Sequence, residues 1–205
     1  MDGVLTGIDS VWRYVHEHLG VWPQARRNKE MFERGEISYE DWARLDVSLW
    51  RGRRVEELKN ILGAVNLRPG AEELVRRAKS MGLKVFALSA GIDVLVEEVA
   101  ARLGLDGYEA NKIETRDGVL TGNVEVTVGF TDKGKVFREI LESHGIRPEE
   151  AIAVGDSIVD VPMFREAGYS VAFNPTAPAL LSEADAIVLS EALYLLADLV
   201  EAVTR

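Results

Sequence analysis

The residues best suited to chemistry lie where short apolar runs end. Residues 151–154 read Ala-Ile-Ala-Val and continue into Gly155-Asp156, and Asp160 follows four residues later. If the apolar run is a strand, both carboxylates emerge at one strand end. Hard oxygen ligands in that arrangement suit Mg²⁺, which keeps several of its waters and needs few protein carboxylates. Two acids in a turn before a helix could also serve only as caps.

Two further positions are suited to binding phosphate. Ser89 ends the apolar run of residues 84–88, where a hydroxyl and the free backbone N–H groups of a helix start form an anion site. Lys133 opens a predicted helix, although the helix dipole disfavours a cation at that end. We interpret Lys133 as neutralising a phosphoryl group and a pair of carboxylates. A capping serine and a solvated lysine are the alternatives for each segment taken alone.

The elements that would position these residues follow from the spacing of apolar residues. From residue 68 onward, helices alternate with short β-branched runs, and Asp117-Gly118 is typical of a hairpin turn. Strands are predicted over residues 84–88, 111–115, 119–128, 151–154, 170–173 and 186–189. Helices are predicted over residues 72–80, 94–103, 133–144, 161–167 and 192–203.

The earlier part of the chain has a different character. Residues 8–65 have a helical pattern and contain all four tryptophans, and Ser38 with Asp41 predicts the start of a helix through Trp50. The predicted fold is therefore a doubly wound, Rossmann-like α/β core, residues 1–7 and 66–205, with an inserted helical cap, residues 8–65. Such folds bind ligands at the carboxyl ends of their mostly parallel strands.

The composition narrows the classes of function. The net charge of −10 at pH 7 argues against nucleic acid or an anionic membrane as the main partner. No apolar run approaches the ~18 residues of a membrane span, and no secretory leader is expected. With no cysteine, disulfides and thiolate metal sites are excluded, and a cytoplasmic location is expected. An acidic protein that handles phosphate also needs a local cation, which favours a bound metal.

Together these segments resemble the haloacid dehalogenase-like phosphohydrolases, and most of all the phosphoserine phosphatase branch. The likeness rests on the order of the motif segments and on the helical insertion after the first of them. That first segment, Met1-Asp2-Gly3-Val4-Leu5-Thr6, matches the second half of D-x-D-G-[VT]-L-[TV]. Met1 stands at the x, so the pattern predicts that a nucleophilic Asp and its strand precede it. Without that central strand, we expect two unpaired strand edges, and either poor stability or a gap filled by a tag, a rearranged segment or a neighbouring chain.

The resemblance implies a role for each matched residue. Asp2 is implied as the general acid/base. Ser89 and the backbone N–H of Ala90 are implied to bind phosphate, and Lys133 to pair with the phosphoryl group and the nucleophile. Asp160 is implied to hold a metal-bound water or Lys133. The implied metal residues are Asp2 (through its backbone carbonyl), Asp156 and Asp160.

Two acids are predicted to influence the choice of substrate. Asp9 falls where phosphoserine phosphatases have an acid that grips the substrate. Asp46 falls where they have an arginine for the substrate carboxylate, so Asp46 would repel a carboxylate and disfavour phosphoserine. Arg44 is near Asp46 in sequence but on a different helical face. Three histidines are expected on helix surfaces without a catalytic role: His16, His18 and His144.

The predicted function is that of a Mg²⁺-dependent phosphomonoesterase acting on a small phosphorylated metabolite through a phosphoaspartate. A carboxylate nucleophile would split hydrolysis into two easier steps. As written, the 205 residues lack that nucleophile and are predicted to be largely inactive. The alternative from another class is a non-catalytic phosphate-binding pseudoenzyme or regulatory protein. Neither nucleic acid nor membrane is an expected partner, and a homodimer is left open.

Overall fold

The structure, a computed structural model that describes residues 1–204, is built around two three-stranded sheets. The first sheet consists of β1 (Phe86–Ile92), β2 (Gly107–Arg116) and β3 (Val119–Glu125). In it β1 and β2 are parallel, and β2 and β3 form an antiparallel hairpin. The second sheet is wholly parallel and consists of β4 (Ile152–Gly155), β5 (Tyr169–Phe173) and β6 (Ala186–Val188).

Helices cover both faces of these sheets. They are α5 (Ala71–Ser80), α6 (Asp93–Leu103), α7 (Lys133–Ser143), α8 (Val161–Phe164), α9 (Pro178–Glu183) and α10 (Tyr194–Thr204). Strand β5 shows how alternate residues sort between the two layers. Val171 and Phe173 join the cluster that includes Val75 of α5 and Leu196 of α10. Ala172 joins the cluster built from α7, α8 and α9. The predicted α/β fold with a Rossmann-like core is confirmed.

Strands β1 and β4 are the facing edges of the two sheets. Each pairs with a strand on one side only, within the part of the chain that the structure describes. An apolar groove of about 460 Å³ separates them, and Met1 lies among its lining residues. The two unpaired edges expected from the sequence are therefore present.

Residues 11–62 contain four helices that pack over the strand ends: α1 (Val11–His18), α2 (Trp22–Glu33), α3 (Tyr39–Ser48) and α4 (Val55–Leu62). Ser38 caps α3 as predicted, because its hydroxyl accepts the Asp41 N–H at 3.0 Å. The β2–β3 hairpin holds this segment, since Leu120 donates to the Arg53 carbonyl at 2.8 Å and accepts from the Gly52 N–H at 2.9 Å. None of the helices in residues 1–204 is long and apolar enough to cross a bilayer.

The element boundaries differ from the predictions where tertiary pairing decides them. Strand β2 begins at Gly107, four residues before the predicted start, because residues 107–109 pair with β1. The hairpin turn is as predicted, with Asp117 at φ 53° and Gly118 at φ 74°. Such left-handed pairs match the twist of the flanking strands. Helix α8 ends at Phe164, earlier than residue 167.

Candidate active site

The predicted functional residues meet at the edge where β1 and β4 end. Asp156 directly follows β4, and Ser89 lies within β1. The N-terminal segment passes between them: a Cβ on Gly3 would lie 2.2 Å from Asp156 Oδ2. A Cβ on Gly91 would lie 3.0 Å from Ser89 Oγ and 3.7 Å from Asp2 Oδ2. Asp2 is therefore close to the carboxyl ends of both strands.

A buried ion pair forms one side of this cluster. The Lys133 ammonium at the start of α7 lies 2.5 Å from Asp160 Oδ1, and both side chains are nearly inaccessible to solvent. The second carboxylate oxygen of Asp160 accepts the N–H groups of Asp156 and Ser157, at 2.9 and 3.0 Å. Burial alone would raise the pKa of Asp160, but the ammonium groups of Lys133 and Met1 hold it below its usual value. Asp160 is therefore a charged residue that fixes both Lys133 and the turn after β4.

Two other carboxyl groups in the cluster are easier to protonate than usual. Burial raises the pKa of Asp2. The Met1 ammonium, the Val11 N–H and Lys133 lower this pKa, but their combined effect is smaller than that of burial. Asp2 Oδ2 accepts the Val11 N–H at 2.7 Å, whereas Oδ1 is buried without a partner. Burial, with a smaller contribution from Asp160, raises the pKa of Asp156 to about 6. A carboxyl group with a raised pKa can both donate and accept a proton near neutral pH.

Strand β1 is irregular at the predicted phosphate-binding residues. Its pairing with β2 shifts register between Leu88 and Ile92, which marks a bulge around Ser89 and Ala90. Bulges of this kind re-aim side chains next to active sites. Ser89 is 5% exposed, and its hydroxyl accepts the Gly91 N–H at 3.0 Å. Its own proton is thus free to be donated to an anion.

The carbonyl of Ala90 is held by three side chains that sequence reasoning did not assign to the site. It accepts hydrogen bonds from Trp12 Nε1 at 3.0 Å, from the Tyr39 hydroxyl at 2.9 Å and from Asn111 Nδ2 at 2.9 Å. Asn111 is itself fixed, because its Oδ1 accepts two backbone N–H groups of the loop before α7. The helical segment therefore docks directly onto the bulge. The signal in the sequence was the segment Ala110-Asn111-Lys112, which resembles the corresponding segment of the haloacid dehalogenase-like phosphohydrolases.

The structure does not place the two predicted substrate-choice residues in this cluster. Asp9 is exposed, just before the Ser10 cap of α1. Asp46 is 3% exposed and lies inside the helical segment. Its Oδ1 accepts from Asn28 Nδ2 at 2.8 Å, and its Oδ2 lies 3.1 Å from His16 Nε2. Both oxygens of Asp46 are therefore occupied inside the helical segment. Its predicted repulsion of a substrate carboxylate gains no support from this geometry and stays a prediction.

His16 belongs to the same buried network and corrects a prediction. It is 1% exposed, although all three histidines were expected on helix surfaces. Trp50 Nε1, which can only donate, lies 3.0 Å from His16 Nδ1. His16 Nδ1 must then accept, so Nε2 carries the proton and donates it to Asp46. This chain of hydrogen bonds ties α1 and α3 together.

The residues expected to hold Mg²⁺ fit the ion only in part. In residues 1–204, no three His, Cys, Asp or Glu side chains are arranged as a metal cluster. Asp160 was predicted among the metal residues, but its oxygens are taken by Lys133 and by the turn. Asp156 receives no hydrogen bond on its carboxylate from the described residues, and burial disfavours its charge. One hard carboxylate beside Asp2 suits an ion that completes its shell with water.

The turn after β4 depends on the absence of a side chain at Gly155. A Cβ there would lie 2.4 Å from Cβ and Cγ of Asp160. We expect Gly155→Ala to lower the free energy of unfolding by about 1–3 kcal/mol, the usual cost of overpacking. Chemical denaturation measures this change. Gly7→Ala is the matched control, since a Cβ there meets nothing within 4 Å, and equal losses in both variants would contradict the prediction.

Comparison with known proteins agrees with this geometry. The family model of the haloacid dehalogenase-like hydrolases matches residues 1–168. A phosphoserine phosphatase of Methanocaldococcus jannaschii is 33% identical over 186 residues, which are 90% of this chain and 87% of that protein. A phosphoserine phosphatase of Archaeoglobus fulgidus is 34% identical over 175 residues, 85% of this chain. The chain spans about half the length of that second relative, 51%.

Solved structures show the same relationship. A substrate-bound phosphoserine phosphatase complex superposes with a TM-score of 0.84 at 28% identity, covering 97% of this chain and 94% of that one. A phosphoserine phosphatase solved as a phospho-aspartyl intermediate analogue gives a TM-score of 0.82 at 30% identity, covering 97% and 95%. The chain therefore belongs to the haloacid dehalogenase-like hydrolases, in their phosphoserine phosphatase-like branch, and is by family a phosphoric monoester hydrolase.

Proposed function

We propose that this chain carries the site of a Mg²⁺-dependent phosphomonoesterase that works through a phosphoaspartate. The observation that supports this most is the meeting of Asp2, Ser89, Lys133 and Asp156 at one sheet edge, although they are far apart in sequence. Phosphoryl transfer needs positioning and charge stabilisation more than covalent help from many residues. A solved relative that carries a phospho-aspartyl intermediate analogue supports the same chemistry.

Each residue has a distinct task in the proposed reaction. Ser89 donates a hydrogen bond to a phosphoryl oxygen, and the Lys133 ammonium neutralises a second oxygen while Asp160 keeps it in place. Protonated Asp2 gives its proton to the leaving alcohol and later takes one from the attacking water. The raised pKa of Asp2, caused by burial, suits both steps. Asp156 and the Asp2 backbone carbonyl would hold Mg²⁺, which when bound would stabilise charge on the transferring oxygens.

The proposed substrate is a small phosphorylated metabolite, with phosphoserine as the first one to test. The names of the relatives support phosphoserine. The sequence argument against it came from Asp46, which lies buried in a hydrogen-bonded network inside the helical segment. The lack of cysteine supports a cytoplasmic location for such an enzyme.

The second candidate function is phosphate binding without turnover. It rests on Ser89 and Lys133, the groups suited to binding phosphate, whose placement at the site does not depend on a nucleophile. We propose that a polypeptide of these 205 residues alone binds phosphate and has only trace phosphatase activity.

A strand-extended protein separates these two functions. An apolar strand ending in Asp is placed before Met1, and the matched control has Asn in place of that Asp. With Mg²⁺, we expect the Asp form to hydrolyse phosphoserine or another member of a panel of small phosphomonoesters, because only it can form the phosphoaspartate. The Asn form and the 205-residue chain should show trace activity. Released inorganic phosphate measures turnover, with and without Mg²⁺.

Two results would contradict these proposals. Full turnover by the 205-residue chain would mean that another residue attacks phosphorus. A folded Asp form that binds inorganic phosphate but hydrolyses no member of the panel would favour the binding protein.

A further inference from the structure

The Ala90 carbonyl receives more hydrogen bonds than its burial requires. Its three donors are Trp12 Nε1 of α1, the Tyr39 hydroxyl of α3 and Asn111 Nδ2 of β2. The bulge of β1 interrupts the regular pairing with β2 at this residue, and a backbone carbonyl away from water then needs one other donor. A carbonyl oxygen has only two lone pairs. Three donors therefore exceed what satisfying this one oxygen needs.

Each of these donors is committed to the carbonyl by its own chemistry. The indole N–H of Trp12 can only donate. Burial raises the pKa of Tyr39, so its hydroxyl keeps its proton at neutral pH. The side-chain amide of Asn111 is fixed in its orientation, because its Oδ1 already accepts the N–H groups of Thr127 and Val128 at 2.9 and 3.0 Å. All three hydrogen bonds therefore run from a side chain to the carbonyl oxygen.

The peptide group that contains this carbonyl also contains the N–H of Gly91. A peptide group is planar, so the direction of the carbonyl sets the direction of the N–H. That N–H donates to Ser89 Oγ at 3.0 Å. A Cβ on Gly91 would lie 2.7 Å from Val11 Cγ1 and 3.0 Å from the same Oγ, so this close approach requires a glycine. The peptide group between Ala90 and Gly91 therefore connects the three donors to the Ser89 hydroxyl.

Hydrogen bonds that run through one group strengthen one another. Donors on the Ala90 oxygen draw electron density toward it, which makes the Gly91 N–H a stronger donor to Ser89 Oγ. Because Oγ then accepts a stronger hydrogen bond, its own O–H becomes a better donor. Each bond in such a chain is strengthened by about 10–30% in a protein interior. The last group in this chain is the Ser89 hydroxyl, whose proton is free to be donated to an anion.

We propose that three side chains position the Ser89 hydroxyl for phosphate, and that they act through the peptide group that follows Ala90. These positioning residues are Trp12, Tyr39 and Asn111. They orient and polarise the Gly91 N–H, and so strengthen the hydrogen bond from Ser89 to a phosphoryl oxygen. None of them has to touch the substrate to do this. The proposal rests on the proposed function, in which Ser89 binds phosphate.

Nuclear magnetic resonance measures the polarisation directly. The sequence contains two Ala–Gly pairs, Ala90-Gly91 and Ala167-Gly168. Labelling alanine with ¹³C at the carbonyl and glycine with ¹⁵N therefore gives two cross-peaks in a carbonyl–amide correlation spectrum. In Tyr39→Phe, we expect the Ala90 carbonyl carbon and the Gly91 amide proton to move upfield, because both hydrogen bonds weaken. The second pair is the internal control, since it lies between α8 and β5, outside this chain of hydrogen bonds.

Inorganic phosphate is the probe for the effect on binding. The Ala90-Gly91 cross-peak, followed during a titration of the 205-residue chain, gives the dissociation constant. We expect Tyr39→Phe to weaken phosphate binding about threefold, and Tyr39→Phe combined with Trp12→Phe to weaken it about tenfold. Both changes keep an aromatic ring and remove a donor. Circular dichroism verifies folding, and Tyr39→Phe alone is decisive if the double variant does not fold.

Arg51→Met is the matched control for a loosened helical segment. It removes a different hydrogen bond between that segment and the hairpin, from Arg51 Nε to the Thr121 carbonyl at 3.0 Å. We expect it to change neither the Ala90-Gly91 cross-peak nor the dissociation constant for phosphate. A loss of phosphate binding in Arg51→Met as large as that in Tyr39→Phe would show that docking of the segment, and not the carbonyl, sets the affinity, and would overturn the proposal.

Ser89→Ala tests whether the donors act through the Ser89 hydroxyl. This variant alone should weaken phosphate binding at least tenfold. On its background, adding Tyr39→Phe should weaken binding by less than about 1.5-fold, because residues that act through one another have non-additive effects. Additive effects overturn the proposal.

Failure of the proposed function would give a different result. If the unsubstituted chain binds no phosphate, or if Ser89→Ala binds it equally well, the phosphate site and the positioning role are both contradicted. If Ser89→Ala weakens binding but Tyr39→Phe does not, only the positioning role is overturned. An unmoved Ala90-Gly91 cross-peak in Tyr39→Phe overturns the positioning role as well.

Discussion

Replacing Lys133 by Met is expected to lower the free energy of unfolding by about 3–5 kcal/mol, because it removes the cation that contacts the buried Asp160 carboxylate. The two side chains are only 6% and 4% exposed, so water cannot take the place of the lost partner. Adding Asp160→Asn to this variant should recover part of the loss, since the unpaired charge is then removed. Urea denaturation of the two single variants and the double variant measures the coupling.

The pH dependence of this loss has a defined sign. In the unsubstituted protein the pKa of Asp160 is held low, although burial opposes it. The contribution of Asp160 is therefore present above its unfolded pKa, about 3.9, and is lost as the pH falls through the lower folded value. In Lys133→Met the largest influence that lowers this pKa is removed, so we expect acid to relieve the buried carboxylate. The difference in stability between the two proteins should narrow from pH 7 to about pH 4.

A surface pair provides the control for Lys133. Lys135 and Glu139 lie 3.5 Å apart on the same helix and are 70% and 57% exposed. Lys135→Met should cost less than about 1 kcal/mol. Equal losses in the two lysine variants would contradict a special role for the buried pair.

In the strand-extended Asp form, Lys133→Met should also lower kcat/KM by about 10²–10³-fold, the usual cost of losing one group that stabilises transition-state charge.

Replacing Asp46 by Ala is expected to destabilise the helical segment by about 2–5 kcal/mol without changing substrate choice. The change leaves the buried His16 Nε2 proton without an acceptor and removes the acceptor of the half-buried Asn28 amide. Each unsatisfied buried donor costs about 1–3 kcal/mol. Thermal and urea unfolding measure the loss. Glu40→Ala, which removes an exposed acid from the first turn of the same helix, should cost no more than about 1 kcal/mol.

Substrate choice gives the second readout for Asp46. We expect Asp46→Ala, made in the strand-extended Asp form, to leave the choice between phosphoserine and an uncharged alcohol phosphate nearly unchanged. The ratio of the two kcat/KM values should change by less than about threefold. The reason is that a group that does not touch the substrate cannot set a difference in transition-state binding. A tenfold rise in that ratio with unchanged stability would show that Asp46 repels the substrate carboxylate after all.

The sequence by itself determined the local elements and the order of the motif residues. The Ser38–Asp41 cap, the Asp117–Gly118 turn and most strands depend on neighbours a few residues away, so their signals are local. The doubly wound arrangement follows from helices alternating with apolar runs. Because parallel strands end at one sheet edge, the meeting of Asp156 with Ser89 could be expected from the two runs that precede them.

Tertiary packing alone decided which way several side chains point. Asp46 and His16 have ordinary helical neighbours in sequence, and the packing of the helices against one another buries both. The bulge at Ser89 and the three donors on the Ala90 carbonyl need partners up to 78 residues away. The groove between β1 and β4 is likewise a property of two assembled sheets. The spacing of apolar residues along the sequence indicates whether a segment forms a helix or a strand. Which side of that helix or strand is buried depends on the elements that pack against it.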